Sequence, residues 1–333
     1  MGDGIWRIEG EDICCELNSL GASVAAARVR DGSGHYIEVA LSPESFRAGG
    51  PDNAMAGRTV GPCCGRVAGG GIEIDGQRLP LARNEGANHI HGGPHGAALQ
   101  VWTGERLSPA RVRFTLDLPD GLDGYPGNRR LQADYAASGR TLRVQYAAWT
   151  DRPTWLGLTN HVYWDLGGRF DGSALDQQLQ IAAERVVFNG PGHLPESIQK
   201  AEGPFDFRAP KRLREAIEAW PDHPQLVLGR GYNNAFLLDK ERAAALGCAA
   251  RLYAPASGLG LRLRTNQPAL VLYSGGFLDG DTRTKDGGAS PGCAVALEAQ
   301  HVPDPFHLPG QPPEILRPGE TYLCQIEWAL EAS

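Results

Sequence analysis

The sequence predicts an all-β protein, a large antiparallel β-sandwich, and three observations carry that expectation. Short runs rich in Val, Ile, Leu, Thr and Tyr recur from one end of the chain to the other between turn signals. The 44 glycines and 24 prolines among 333 residues exceed average usage without any collagen-like period, so they read as punctuation between many short strands. No segment repeats at a fixed spacing and no Ser- or Pro-rich linker divides the chain, which predicts one domain over residues 1–333. The length does not oppose this, because all-β sandwiches often run past about 200 residues undivided. Two stacked sheets suit strands that alternate inward and outward and leave few exposed edges.

The strand candidates follow in order. Residues 24–29 precede the turn signal Asp31-Gly32-Ser33-Gly34, and residues 72–74 precede Asp75-Gly76. Further runs lie at 111–118, 142–149, 178–181, 235–238, 259–264, 269–273, 294–299 and 322–328. The best helix candidate is 211–220, where Leu213, Ile217 and Trp220 fall on one face and Pro210 precedes the first turn.

Composition narrows the function classes. With 41% hydrophobic and 21% charged residues the chain can bury a large core. A net charge of -7 with scattered Lys and Arg offers no attraction for nucleic acid or anionic lipid. The N-terminus lacks the basic start and apolar stretch of a signal peptide, and nowhere do about eighteen apolar residues run together, so a soluble, cytoplasmic protein without membrane partners is expected. Seven cysteines, including the neighbours Cys14-Cys15 and Cys63-Cys64, show no C-x-x-C spacing and read as small buried residues rather than disulfides.

Polar clusters interrupt this apolar chain. In His89-Ile90-His91-Gly92-Gly93 two imidazoles share a side if the segment is extended. That spacing has competing meanings: half of a metal site completed by His161 and Glu298, a single substrate-facing His91, or structural histidines beside a loop. His161, in Leu158-Thr159-Asn160-His161-Val162-Tyr163-Trp164, is either a core histidine or a proton donor in a pocket, and Tyr163, Trp164 or Trp102 are candidate sugar-facing aromatics. Glu298 follows the apolar run Cys293-Ala294-Val295-Ala296-Leu297, so it needs a partner or an open cleft. A salt bridge to an arginine such as Arg66 stands against catalysis there. Gly69-Gly70-Gly71 lacks the frame of a phosphate loop, and Ser274-Gly275-Gly276 is not a hydrolase elbow.

A longer series of motifs joins these clusters: Leu20-Gly21-Ala22-Ser23-Val24, Gly65-Arg66-Val67-Ala68 with Asp75-Gly76, Asn88-His89-Ile90-His91-Gly92-Gly93 with Trp102, Tyr125-Pro126-Gly127, Leu158-Thr159-Asn160-His161, Phe205-Asp206-Phe207-Arg208, Tyr273-Ser274-Gly275, and Leu297-Glu298-Ala299-Gln300 through Pro303-Asp304. In that order they resemble the aldose 1-epimerase (galactose mutarotase) family over nearly the whole chain. The resemblance implies a large antiparallel β-sandwich whose cleft binds a free aldose without metal or organic cofactor. It implies Glu298 as base and His161 as acid, with Arg66 and His91 holding sugar hydroxyls or the ring oxygen. It also implies a small monosaccharide as partner and a monomer or homodimer.

The chain departs from the family pattern in places. Gly231-Tyr232-Asn233-Asn234-Ala235-Phe236 puts the amide of Asn233 where the family carries a sugar-binding Asp. Gly65 replaces the Asn before the arginine, Pro195-Glu196-Ser197 stands for Pro-Thr-Gly, and Gly61-Pro62 for the first Gly-Arg pair. The alternatives are a noncatalytic sugar-binding or sugar-sensing protein, and a metal-dependent sugar isomerase built on His89, His91, His161 and Glu298.

Overall fold

The computed structural model describes residues 4–48, 54–285 and 287–332. A nine-stranded antiparallel sheet forms one layer, in the spatial order Thr103–Ser108, Arg111–Leu118, Arg129–Ser138, Thr141–Thr150, Tyr322–Ala332, Leu259–Thr265, Ala250–Ala254, Gln178–Ile181 and Lys211–Arg212. A six-stranded antiparallel sheet lies against it, in the order Tyr163–Trp164, Val295–Gln300, Ala269–Tyr273, Asn233–Leu238, Ala183–Asn189 and Pro195–Lys200. Strands Ile5–Glu9, Ile13–Asn18, Ser23–Arg30 and Tyr36–Glu38 make a third, four-stranded sheet.

The period-two side-chain pattern explains the layering. In Arg129–Ser138 the buried positions alternate, and Leu131, Ala133, Tyr135 and Ala137 enter the core. One continuous apolar cluster takes Ile8 from the small sheet, Tyr135, Leu263 and Trp328 from the large one, and Leu270 and Leu297 from the six-stranded sheet. Asp75 and Gly76, with φ of 52° and 78°, make the two-residue turn that pairs Ile74 with Gln77, as the Asp-Gly signal predicts. All seven cysteines are buried, and none of them forms a disulfide.

Most strand expectations match closely: 111–118, 178–181 and 269–273 coincide with observed strands, and the run at 322–328 continues to Ala332. The helix needs correction. It covers Leu213–Ala219, because Lys211 and Arg212 pair with Leu179 and Gln178 and are held extended as an edge strand. Leu213 is buried and Ile217 packs on the core, but Trp220 leaves helical geometry and is 48% exposed, so it does not share their face. Pro195–Lys200 carries no apolar strand signature because an edge strand is polar and tolerates a first-position proline.

Candidate active site

The six-stranded sheet has one face in the core and the other on a cleft. Leu270, Leu272, Leu297, Ala299 and Phe236 point inward, so the residues between them point outward. The register sets Glu298 beside Val271 and Val271 beside Ala235, with Gln300, Tyr273 and Asn233 two positions along. These side chains floor a cavity of about 410 Å³. Arg66, Glu85, His91 and His161 wall one side, and His193 and Phe277 lie on its rim.

Glu298 and His161 meet within this cavity, Nε2 to Oε1 at 3.6 Å, and both are almost fully buried. Burial raises the Glu298 carboxyl above the usual carboxylate range, and the His161 charge offsets only part of that rise. The Leu-Thr-Asn-His segment fixes the pair. Thr159 Oγ1 donates to the carbonyl of Ala299 at 2.8 Å, tying the loop to the strand that carries Glu298. Asn160 Nδ2 donates to the Gly57 carbonyl and to the Tyr135 hydroxyl, and the His161 amide donates to the Arg58 carbonyl. The His161 ring stacks on Tyr163 at 4.8 Å with a 20° interplanar angle, which leaves its tilt little freedom.

Arg66 and His91 come from two short paired segments, Arg66–Val67 with His89–Ile90. Glu85 grips the Arg66 guanidinium with both carboxylate oxygens, at 2.6 and 2.7 Å. His91 turns out of the strand with φ of 52°, and Gly92 follows at 86°. A Cβ on Gly92 would lie 2.0 Å from the Gly61 carbonyl oxygen, so glycine alone permits this approach. His91 Nδ1 accepts from the Gly65 amide at 3.3 Å, which puts the ring proton on Nε2 and leaves an N–H to donate. Burial pulls the His91 pKa well below the ordinary imidazole value, so the ring is neutral near pH 7.

Several expectations change here. His89 does not share a side with His91, because the strand ends at Ile90 and the chain turns at His91. His89 is buried, with Nδ1 against the Ala82 carbonyl at 2.6 Å and Nε2 against the Tyr125 hydroxyl at 2.8 Å, so both nitrogens are engaged and the four-residue metal set is not assembled. Arg66 pairs with Glu85, not Glu298. Of the three aromatics, Tyr163 lines the cavity, whereas Trp164 packs on Trp328 and Trp102 is buried with its Nε1 donating to Ala97. Asn233 lines the cavity floor and pairs with Tyr273 on the neighbouring strand. The sequence reading did not single out Glu85, Asn189, His193 or Phe277, which also line the cavity. Glu85 lies three residues ahead of the Asn-His-Ile-His motif, and His193 sits in a Gly-Pro-Gly turn, signals too slight to assign by themselves.

The fold and the cleft together define a carbohydrate-active β-sandwich of the mutarotase kind. The chain belongs to the aldose 1-epimerase family, whose model matches residues 5–328. It is 32% identical to a galactose mutarotase of Rattus norvegicus over 320 residues, 95% of this chain and 91% of the relative. It is 31% identical to an aldose 1-epimerase of Escherichia coli strain K12 over 323 residues, 94% of this chain and 90% of that one. A solved structure of a GalM/aldose epimerase homologue from C. elegans superposes with a TM-score of 0.89, at 25% identity and 99% coverage of both chains.

Proposed function

We infer that the protein is an aldose 1-epimerase, which interconverts the α- and β-anomers of a free aldose by opening and reclosing the ring. The observation that carries this is the Glu298–His161 pair, 3.6 Å apart where the floor of the cavity meets its wall. The Glu298 carboxylate takes the proton from the anomeric hydroxyl, and the C1–O1 bond becomes a carbonyl. The C1–O5 bond breaks as the His161 imidazolium gives its proton to O5. Rotation about C1–C2 presents the other carbonyl face. Closure returns the O5 proton to His161 and the Glu298 proton to O1, so the side chains end as they began. General acid and general base each contribute on the order of a hundred- to ten-thousand-fold.

Supporting groups surround this pair. The Arg66 guanidinium and the Nε2–H of neutral His91 donate to sugar oxygens, and the Asn233 amide binds a hydroxyl from the floor. No cofactor enters the scheme. The substrate is a monosaccharide-sized aldose, and the protein works in the cytoplasm as a monomer or homodimer. No helix of the described residues is long and apolar enough to cross a membrane.

Polarimetry of freshly dissolved single anomers of galactose, glucose, xylose, arabinose and fucose tests the reading. The protein accelerates at least one, and His161→Ala abolishes most of that acceleration. Wild-type rates in His161→Ala would remove the role given to the imidazole.

A further inference from the structure

The chain just past Glu298 grips the chain around Arg66 from both ends. Gln300 Nε2 donates to the Cys64 carbonyl at 3.4 Å, and the Cys64 amide donates to His301 Nε2 at 3.4 Å. On the other side of Arg66, the Ala68 amide donates to Asp304 Oδ2 at 2.9 Å. Cys64 and Ala68 flank Gly65, Arg66 and Val67, so the segment that carries the base also sets where the Arg66 guanidinium and the Gly65 amide stand.

His301 is the member of this grip whose ring is committed on every side. Its Nδ1 lies 2.8 Å from the Val302 carbonyl, an oxygen that only accepts, so Nδ1 carries the ring proton and Nε2 is left as an acceptor. Desolvation pushes the His301 pKa down to about 4, which keeps the ring neutral near pH 7. Trp155 packs on the ring with centroids 4.9 Å apart and planes tilted by 54°. A Cβ on Gly157 would lie 1.8 Å from His301 Cδ2, so any larger residue there displaces the ring. The Gly157 amide donates to the Pro62 carbonyl at 2.7 Å, two residues ahead of Cys64.

The effect of that ring passes through one peptide unit to His91. The Gly65 amide donates to His91 Nδ1 at 3.3 Å, and the Gly65 carbonyl accepts from the His91 amide at 3.1 Å. The bond from Cys64 to His301 holds the residue immediately before that donor. Among the described residues His301 is not part of the cavity lining, so its influence on a bound sugar runs through this turn.

We propose that His301 is a positioning residue for the epimerase reaction: its bare Nε2 holds the Cys64–Gly65 turn, so that His91 keeps its proton on Nε2 and presents that N–H to the sugar. This rests on the epimerase reading and adds to it a residue that does not touch the substrate.

Two variants separate the acceptor from the packing. His301→Gln places an amide oxygen near the Nε2 position and gives up the ring, whereas His301→Phe keeps a ring against Trp155 and gives up the acceptor. By initial-rate polarimetry, His301→Phe raises KM about tenfold with kcat within about threefold of wild type, and His301→Gln stays within about threefold on both. An unmoved KM in His301→Phe overturns the proposal, as does an equal or larger rise in His301→Gln, which would assign the residue to packing alone. Nitrogen–proton correlation spectra of the imidazole rings read the same device without turnover. In wild type His301 is protonated at Nδ1 and His91 at Nε2, and in His301→Phe the His91 proton is shared between both nitrogens. A wild-type His301 protonated at Nε2 overturns the proposal even where neither variant folds. A wild type that accelerates no aldose overturns the epimerase reading itself and leaves the tautomer measurement standing.

Discussion

Replacing Glu298 by Gln removes a charge that burial disfavours while keeping the side-chain shape. Folding the carboxylate into the cavity raises its pKa from 4.5, because the desolvation of the charge outweighs the attraction of His161 at 3.6 Å. Each tenfold displacement of that proton equilibrium is worth about 1.4 kcal/mol. The sign follows from linkage. A carboxyl raised in the folded state contributes stability that is fully present below the unfolded pKa and is lost as pH rises through the folded pKa. Above that point the wild type carries the cost of the buried charge and Glu298→Gln does not. The variant is therefore expected to be at least as stable as wild type at pH 7–8, with any advantage shrinking as pH falls toward 4.5. Its anomerisation rate should drop by about a hundred- to ten-thousand-fold. In wild type, the acid limb of kcat/KM should lie above the ordinary carboxylate value of 4.5. Urea denaturation at several pH values, paired with polarimetry, measures both halves. A variant more than about 1 kcal/mol less stable than wild type at pH 7–8 would refute the desolvation argument. Retained activity would refute the base.

Other outcomes follow from the same geometry. Thr159→Val removes the bond to the Ala299 carbonyl that spaces His161 from Glu298, and should cost about 1–3 kcal/mol in urea unfolding together with a loss of kcat. Glu85→Gln frees the Arg66 guanidinium from a two-oxygen grip, so KM should rise about fivefold with kcat nearly unchanged, read by initial-rate polarimetry. Gly92→Ala places a methyl 2.0 Å from the Gly61 oxygen at a φ of 86°, and a loss of at least about 3 kcal/mol is expected by chemical denaturation.

Individual residues show how far the chain could be read before folding. The runs at 111–118 and 269–273 announce themselves because half-buried strands alternate or stay apolar, and the pattern is local. Glu298 stood out because a carboxylate after five apolar residues implies a cost that something must offset. The His89 and His91 pairing misled because alternation holds only while a strand continues, and this one stops after Ile90. Trp102 and Trp164 share the composition of a sugar platform but face the core, a choice that depends on the parity of strands elsewhere.

Local chemistry along the chain thus determined the strand-rich class and the turn positions and marked Glu298, His161, Arg66 and His91 as candidates, while their roles came only from the resemblance to the family. Tertiary structure decided which of them meet. Thr159 and Ala299 lie 140 positions apart, and the bond between them exists only after both strands have found their layers. Glu85 on Arg66, His91 neutral against Gly65, and His193 on Phe277 are settled in the same way. Contacts between distant segments depend on register and packing, and no periodicity within either segment encodes them.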